Sequence, residues 1–135
     1  MKRTLVIIPT YNEADNILKI IPEVLKNTTP ENEFNVLVVD DNSPDGTASM
    51  VEGLSNDKVN ILKRVKKLGL GTAYLAGFRY AIKNEYDYVF EMDADFSHDP
   101  KYLNEFMKKI NEGYDLVIGS RYINGISVLN WPIRR

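Results

Sequence analysis

The sequence predicts an α/β domain built on a mainly parallel sheet, and three features carry that expectation. Runs rich in β-branched residues recur about every 25 to 30 residues with segments of helical period between them, which is the alternation of βα units. Two of the runs, Leu5-Val-Ile-Ile8 and Val36-Leu-Val-Val39, are apolar without a break, as strands covered by helices on both faces require. Two helix starts, Ser43-Pro44 and Asp99-Pro100, combine a capping side chain with proline at the first helical position.

Taken in order, strands are expected at 4–9, 35–40, 59–64, 88–92 and 116–119, and helices at 14–27, 44–54, 72–84 and 100–112. The two unbroken apolar strands belong in the middle of the sheet. Pro22 lies inside the first helical segment, where its ring and missing N–H are expected to kink the helix or divide it in two. The tail 122–135 reads as a loop. At 135 residues the chain has the length of one domain, without linker, repeat or low-complexity stretch, and its end at Trp131-Pro-Ile-Arg-Arg135 reads as a C-terminal truncation.

Composition excludes several classes. A content of 44% apolar and 27% charged residues is that of a globular domain. A net charge of −2 with the signs interspersed lacks the polybasic field of a nucleic-acid binder. Cysteine is absent, which rules out disulfides and thiolate metal sites. The apolar run that follows Met1-Lys2-Arg3 stops at Pro9, short of the roughly 7 to 15 residues of a secretory signal. No run approaches the ~20 apolar residues of a membrane span. A cytoplasmic start is expected, with membrane contact at most peripheral.

In an open α/β sheet ligands bind beyond the carboxyl ends of the strands, so the residues after each strand carry the functional reading. After the first come Pro9-Thr-Tyr-Asn-Glu13. Tyr11 has a ring able to stack on a base, and Glu13 a carboxylate able to accept base or ribose hydrogen bonds. The competing reading has Asn12 or Asp15 capping the helix, Tyr11 packing and Glu13 complementing the helix dipole. After the second strand stand Asp40 and Asp41, of which Asp41 is suited to accept a nucleobase N–H, while Ser43 or Asp45 serves as a cap.

The fourth strand runs into Met92-Asp-Ala-Asp-Phe-Ser-His98. Carboxylates at i and i+2 of an extended segment share one side, so Asp93 and Asp95 are expected to converge. Two hard oxygen ligands there suit Mg²⁺ or Mn²⁺, with substrate phosphates completing the shell. His98, the only histidine, has no orienting partner in the sequence and reads as a group bonding to its neighbours at a helix start. The basic stretch 63–72 lacks the glycine-lysine order of a phosphate loop and reads as a solvated edge turning into a helix. Arg121, after the fifth strand, has the planar fork that can pair with a diphosphate, while taken alone an arginine there reads as a surface residue.

In their order these segments resemble the inverting glycosyltransferases of family two with a GT-A fold, a Rossmann-like three-layer αβα arrangement, and most closely the polyprenyl-phosphate (dolichol-phosphate) mannose synthases. The matching motifs are Pro9-Thr-Tyr-Asn-Glu13, Val39-Asp-Asp-Asn-Ser-Pro-Asp-Gly-Thr47, Lys67-Leu-Gly-Leu-Gly-Thr-Ala-Tyr74, Met92-Asp-Ala-Asp-Phe-Ser-His98 and Gly119-Ser-Arg-Tyr122. The resemblance implies that Pro9, Tyr11, Glu13, Val39 and Asp41 line a guanine and ribose pocket. It implies that Asp93, Ala94 and Asp95 meet the nucleotide sugar, that Asp95 and Ser97 hold the divalent metal, and that Arg121 faces the phosphates. Asp93, Asp95 and Arg121 are then the catalytic set, GDP-mannose the donor and a polyprenyl phosphate at the cytoplasmic face of a membrane the acceptor. Some relatives carry Gln at the position of Ser97, and a hydroxyl ligates there as well. The chain covers the donor half of such an enzyme, which leaves room for a related transferase of glucose or another sugar, and for a non-catalytic nucleotide-binding module whose partner chain supplies the acceptor half.

Overall fold

The computed structural model describes residues 1–120. Four strands form one sheet in the order β3-β2-β1-β4: β1 (Lys2–Thr10), β2 (Asn32–Asp40), β3 (Val59–Lys63) and β4 (Tyr88–Glu91). All three pairings are parallel, with Val6 opposite Val36 and Phe90, and Val38 opposite Ile61. β1 and β2 are central, as their unbroken apolar runs require. Leu5 to Ile8 and Val36 to Val39 are all fully buried.

Side-chain alternation divides the core into two layers. Val6, Ile8, Val36 and Val38 pack with residues of α1 (Ile17–Leu25), α2 (Thr47–Glu52) and α4 (Leu103–Asn111). Leu5, Ile7, Leu37 and Val39 pack against Ala73, Tyr74 and Ala81 of α3 (Leu70–Lys83). The result is the expected three-layer αβα arrangement, with α3 alone on its face among the described helices. Its approach to the sheet is close because position 77 is glycine: a Cβ there would stand 2.5 Å from Cδ1 of Ile7.

Several elements differ from expectation. Pro22 lies inside α1 without dividing it. Leu18, whose carbonyl loses its donor, and Pro22 are both exposed, so that carbonyl lies on the wet side of the helix. Ile17, Ile20, Ile21 and Val24 meanwhile anchor the other side. α1 begins at Ile17 rather than at 14, because Asn16 and Ile17 donate to the Glu13 carbonyl in a preceding turn. α2 begins at Thr47 rather than at Pro44, because Asp45 turns back onto Thr47 and Gly46 takes a left-handed φ of 85°. Asp99-Pro100 does start a helix: Asp99 accepts from the N–H of Lys101, and a 3-10 turn, Pro100–Tyr102, leads into α4.

No fifth strand forms at 116–119 among the described residues, and Leu116 and Ile118 are exposed. Strand propensity alone does not order a segment that joins no ladder and buries no face. Arg121 lies outside the described residues.

The close contact at Gly77 yields a test. Gly77→Val is expected to destabilise the fold by about 2–3 kcal/mol through overpacking against Ile7. Urea unfolding monitored by circular dichroism measures it, and an unchanged midpoint would contradict the packing described.

Candidate functional site

The carboxyl ends of β1, β2 and β4 form one rim, and side chains of the second loop hold the first. Asp40 is buried and its Oδ1 accepts from the Thr10 hydroxyl at 2.7 Å and the Ser43 hydroxyl at 2.6 Å, while Oδ2 accepts from Ser43 N–H at 3.0 Å. The N–H groups of Asn12, Glu13 and Ala14 donate in turn to Ser43 Oγ, Thr47 Oγ1 and Asp45 Oδ2. The Ser-Pro-Asp-Gly-Thr segment thus immobilises the Tyr11 and Glu13 loop. Asn12, Asn42 and Phe96 all sit at left-handed φ, of 56°, 55° and 64°. Asparagine tolerates that region, but for phenylalanine it is strained. All three lie in loops after strands at this rim, where such strain concentrates in functional sites.

Asp41, also buried, is engaged by a residue that sequence reasoning treated as a solvated edge. Arg64 donates through Nε to Oδ1 at 2.6 Å and through Nη2 to Oδ2 at 2.8 Å, a bidentate pair. The same guanidinium donates to Thr72 Oγ1 and the Gly69 carbonyl, and Leu68 N–H donates to Asp41 Oδ2. One ion pair therefore fastens the β3–α3 loop to the end of β2.

After β4 the chain leaves the strand at Glu91 and turns at 94–95, so Asp93 and Asp95 do not lie on one straight extended segment. Asp93 accepts from the Tyr74 hydroxyl at 3.3 Å, and its N–H donates to Nδ1 of His98 at 3.0 Å. His98 thus pins the loop through its neighbour, as the local-bonding reading expects. Asp95 is exposed, and its Oδ1 accepts from both the N–H and the hydroxyl of Ser97.

Charge shows what the rim brings together. The Glu13 carboxyl is raised above its ordinary value, first by burial and then by repulsion from Asp95, Asp45 and Asp93, against a lowering bond from Asn16. Loops after three strands therefore contribute to one negative cluster. Burial first, and Asp93 second, push the Tyr74 hydroxyl far above the usual tyrosine range, so it remains a donor to Asp93. Lys67 stands over the Tyr11 ring, 4.6 Å from its centroid.

The remaining expected residues are placed unevenly. Pro9 is half-buried at the end of β1. The Val39 and Ala94 side chains are buried in the two core layers, so only their backbones are available to line a pocket. Among the described residues no group of three His, Asp or Glu side chains forms a ready cage for a metal ion. The Asp95 and Ser97 oxygens nonetheless adjoin at the edge of an acidic cluster, and a hard-oxygen set of this kind fits Mg²⁺ or Mn²⁺ with phosphates as further ligands. Sequence gave no direct signal for Arg64 or Tyr74. Their only mark was a place in the 63–74 stretch.

The parallel αβα sheet with carboxylates gathered at its carboxyl rim defines an α/β domain of the doubly covered, GT-A-like class, and comparison with known proteins gives the family. The chain belongs to glycosyl transferase family 2, whose model matches residues 5–135. It is 47% identical over 99% of its length to the polyprenol monophosphomannose synthase of Mycolicibacterium smegmatis, and covers 51% of that protein. It is 44% identical over 98% of its length to the undecaprenyl-phosphate mannosyltransferase of Micrococcus luteus, covering 54% of it. The chain thus spans about half the length of these curated relatives. Among solved structures, Staphylococcus aureus TarS 1-349 in complex with UDP-GlcNAc superposes with a TM-score of 0.66 at 29% identity, over 83% of this chain and 32% of that one. The mannosyltransferase PcManGT of Pyrobaculum calidifontis, in complex with GDP-Man and Mn²⁺, gives 0.53 at 31% identity over 58% of this chain and 24% of that one.

Two outcomes follow. Arg64→Met leaves the Asp41 carboxylate buried without its cation and is expected to cost about 3 kcal/mol in urea unfolding; a loss below about 0.5 kcal/mol would mean the pair is dispensable. For Glu13, a carboxyl raised in the folded state favours folding below its unfolded value and loses that contribution as pH rises through the folded value. Glu13→Gln, which is neutral throughout, should therefore be more stable than the parent at pH 7. The advantage should shrink toward pH 4, as thermal melts across that range will show.

Proposed function

We propose that the chain is the donor-binding half of an inverting, metal-dependent transferase that moves mannose from GDP-mannose to a polyprenyl phosphate. The observation that carries this reading is the negative cluster of Glu13, Asp45, Asp93 and Asp95 at the strand ends. So many carboxylates gathered at a ligand-binding rim call for a cation, and a diphosphate donor arrives with one. The relatives named as mannosyltransferases of polyprenol, undecaprenol or dolichol phosphate supply the sugar and acceptor class.

In this reading Tyr11 and Glu13 receive the base and ribose on the loop held by Ser43, Asp45 and Thr47, and Asp41 accepts a base N–H while Arg64 holds it in place. Asp95 and Ser97 hold Mg²⁺ or Mn²⁺, which when bound supplies Lewis-acid neutralisation of the diphosphate. Asp93, oriented by Tyr74 and by the His98 clamp, is positioned to meet the sugar, with the backbone of Ala94 beside it. Arg121 is assigned to the phosphates of the leaving nucleotide, where its fork stabilises charge as it develops. The acceptor is a phosphate monoester whose second ionisation lies near 6. It is an oxyanion at neutral pH, and attack opposite the leaving group inverts the anomeric centre without a strong general base. That agrees with His98 being spent on the Asp93 backbone.

A second reading is a nucleotide-binding module that needs a partner chain for transfer. Binding tests the part common to both. GDP with Mn²⁺ at about 100 times its dissociation constant should stabilise the chain by ~2.7 kcal/mol, and UDP with Mn²⁺ distinctly less. Asp95→Asn should abolish the metal-dependent part while leaving the ligand-free melt in place. Equal stabilisation by UDP would refute the guanine assignment, and none by either nucleotide would refute the donor site.

A further inference from the structure

The segment 63–83 carries six of the chain's 17 lysines and arginines and none of its 19 aspartates and glutamates. Two of the six are neutralised: Lys63 pairs with Glu52, and Arg64 with Asp41. Among the described residues no carboxylate pairs with Lys66, Lys67, Arg79 or Lys83. In a protein of net charge −2 this is a segregated cationic surface.

The same segment exposes large apolar side chains. Val65 is 84% exposed, Leu70 57% and Leu75 53%, with Leu68 exposed beside them. They are not the product of a slack loop. Arg64 holds the Thr72 hydroxyl and the Gly69 carbonyl, Leu68 N–H is bonded to Asp41, and Thr72 Oγ1 donates to the Gly69 carbonyl. A loop fastened at its base by a buried ion pair displays Val65, Lys66, Leu68 and Leu70 outward, when folding alone would favour polar residues there. Its position is the rim itself: Lys67 lies on Tyr11, and α3, which the loop leads into, sends Tyr74 to Asp93.

We propose that the β3–α3 loop together with the first residue of α3, residues 65–70, is a bilayer contact: Val65, Leu68 and Leu70 enter the interfacial region of an anionic membrane, and Lys66 and Lys67 meet its phosphates. Apolar insertion and basic attraction together are what interfacial binding requires. A nucleic acid has no use for the exposed aliphatic groups, and a second copy of this loop would set like charges against each other. The proposal rests on the reading of a lipid-linked acceptor and locates the membrane beside the donor site. Arg79 and Lys83, farther along α3, add long-range attraction without entering the bilayer.

Flotation of the 135-residue chain with phosphatidylcholine vesicles, with and without one third phosphatidylglycerol, tests it. GDP and Mn²⁺ binding is measured on the same samples. The chain should float with the anionic vesicles, less so as salt rises. Val65→Asp/Leu70→Asp should reduce that partition about tenfold, and Lys66→Gln by a smaller factor, both with nucleotide binding unchanged. Ile82→Asp, at the far end of α3, should leave it intact. Failure of the parent to bind anionic vesicles, or equal partition of the double variant, would overturn the proposal. A loss with Ile82→Asp as large as with the double variant would overturn its placement at the loop. Vesicle binding without GDP binding would leave the surface standing and remove the donor reading.

Discussion

The buried Asp40 carboxylate is the interaction on which the rim depends. Its partners, Thr10 at the end of β1 and Ser43 beyond β2, stand at the roots of different loops. The first loop therefore cannot move independently of the second. A buried carboxylate is costly unless its oxygens are satisfied, and here three donors satisfy it. The same economy extends outward through Asp45 and Thr47 to the N–H groups of Glu13 and Ala14. What presents Glu13 toward Asp93 and Asp95 is thus a scaffold of short polar side chains resting on two fully buried strands.

That rigidity holds the carboxylates of the three loops near one another. Burial and three neighbouring aspartates all oppose ionisation of Glu13, and a looser loop would relax to separate them. The strained Phe96 and the His98 clamp act in the same sense on the third loop. Under the proposed function, a cation and its phosphates would recover the stability given up in assembling such a cluster, which would link folding energetics to ligand binding.

The two aspartates after β2 show how neighbours of identical chemistry come to divide their tasks. Alternation along a strand sends adjacent side chains to opposite faces. Asp40 turns to β1 and the Ser43 loop, and Asp41 to Arg64 on the side of β3 and α3. One fastens the base of the site and the other fastens the loop that the bilayer proposal concerns. Through Arg64 the end of β2 and that loop share a single anchor.

The layer order, the central place of β1 and β2, and the gathering of acidic side chains at the carboxyl rim were legible in the sequence. All three follow from local pattern: unbroken apolar runs, helical periods and polar residues directly after strands. The family was legible for the same reason, since its motifs are short and contiguous. Tertiary structure decided the rest. Arg64 and Asp41 are 23 residues apart and Tyr74 and Asp93 19, so no local signal told that a basic edge would become a buried anchor or that a core tyrosine would hold an aspartate. The shortened α2, the undivided α1 and the unpaired 116–119 segment belong here too. Propensity proposes an element, but its extent is settled by which carbonyls, faces and ladders the assembled fold makes available.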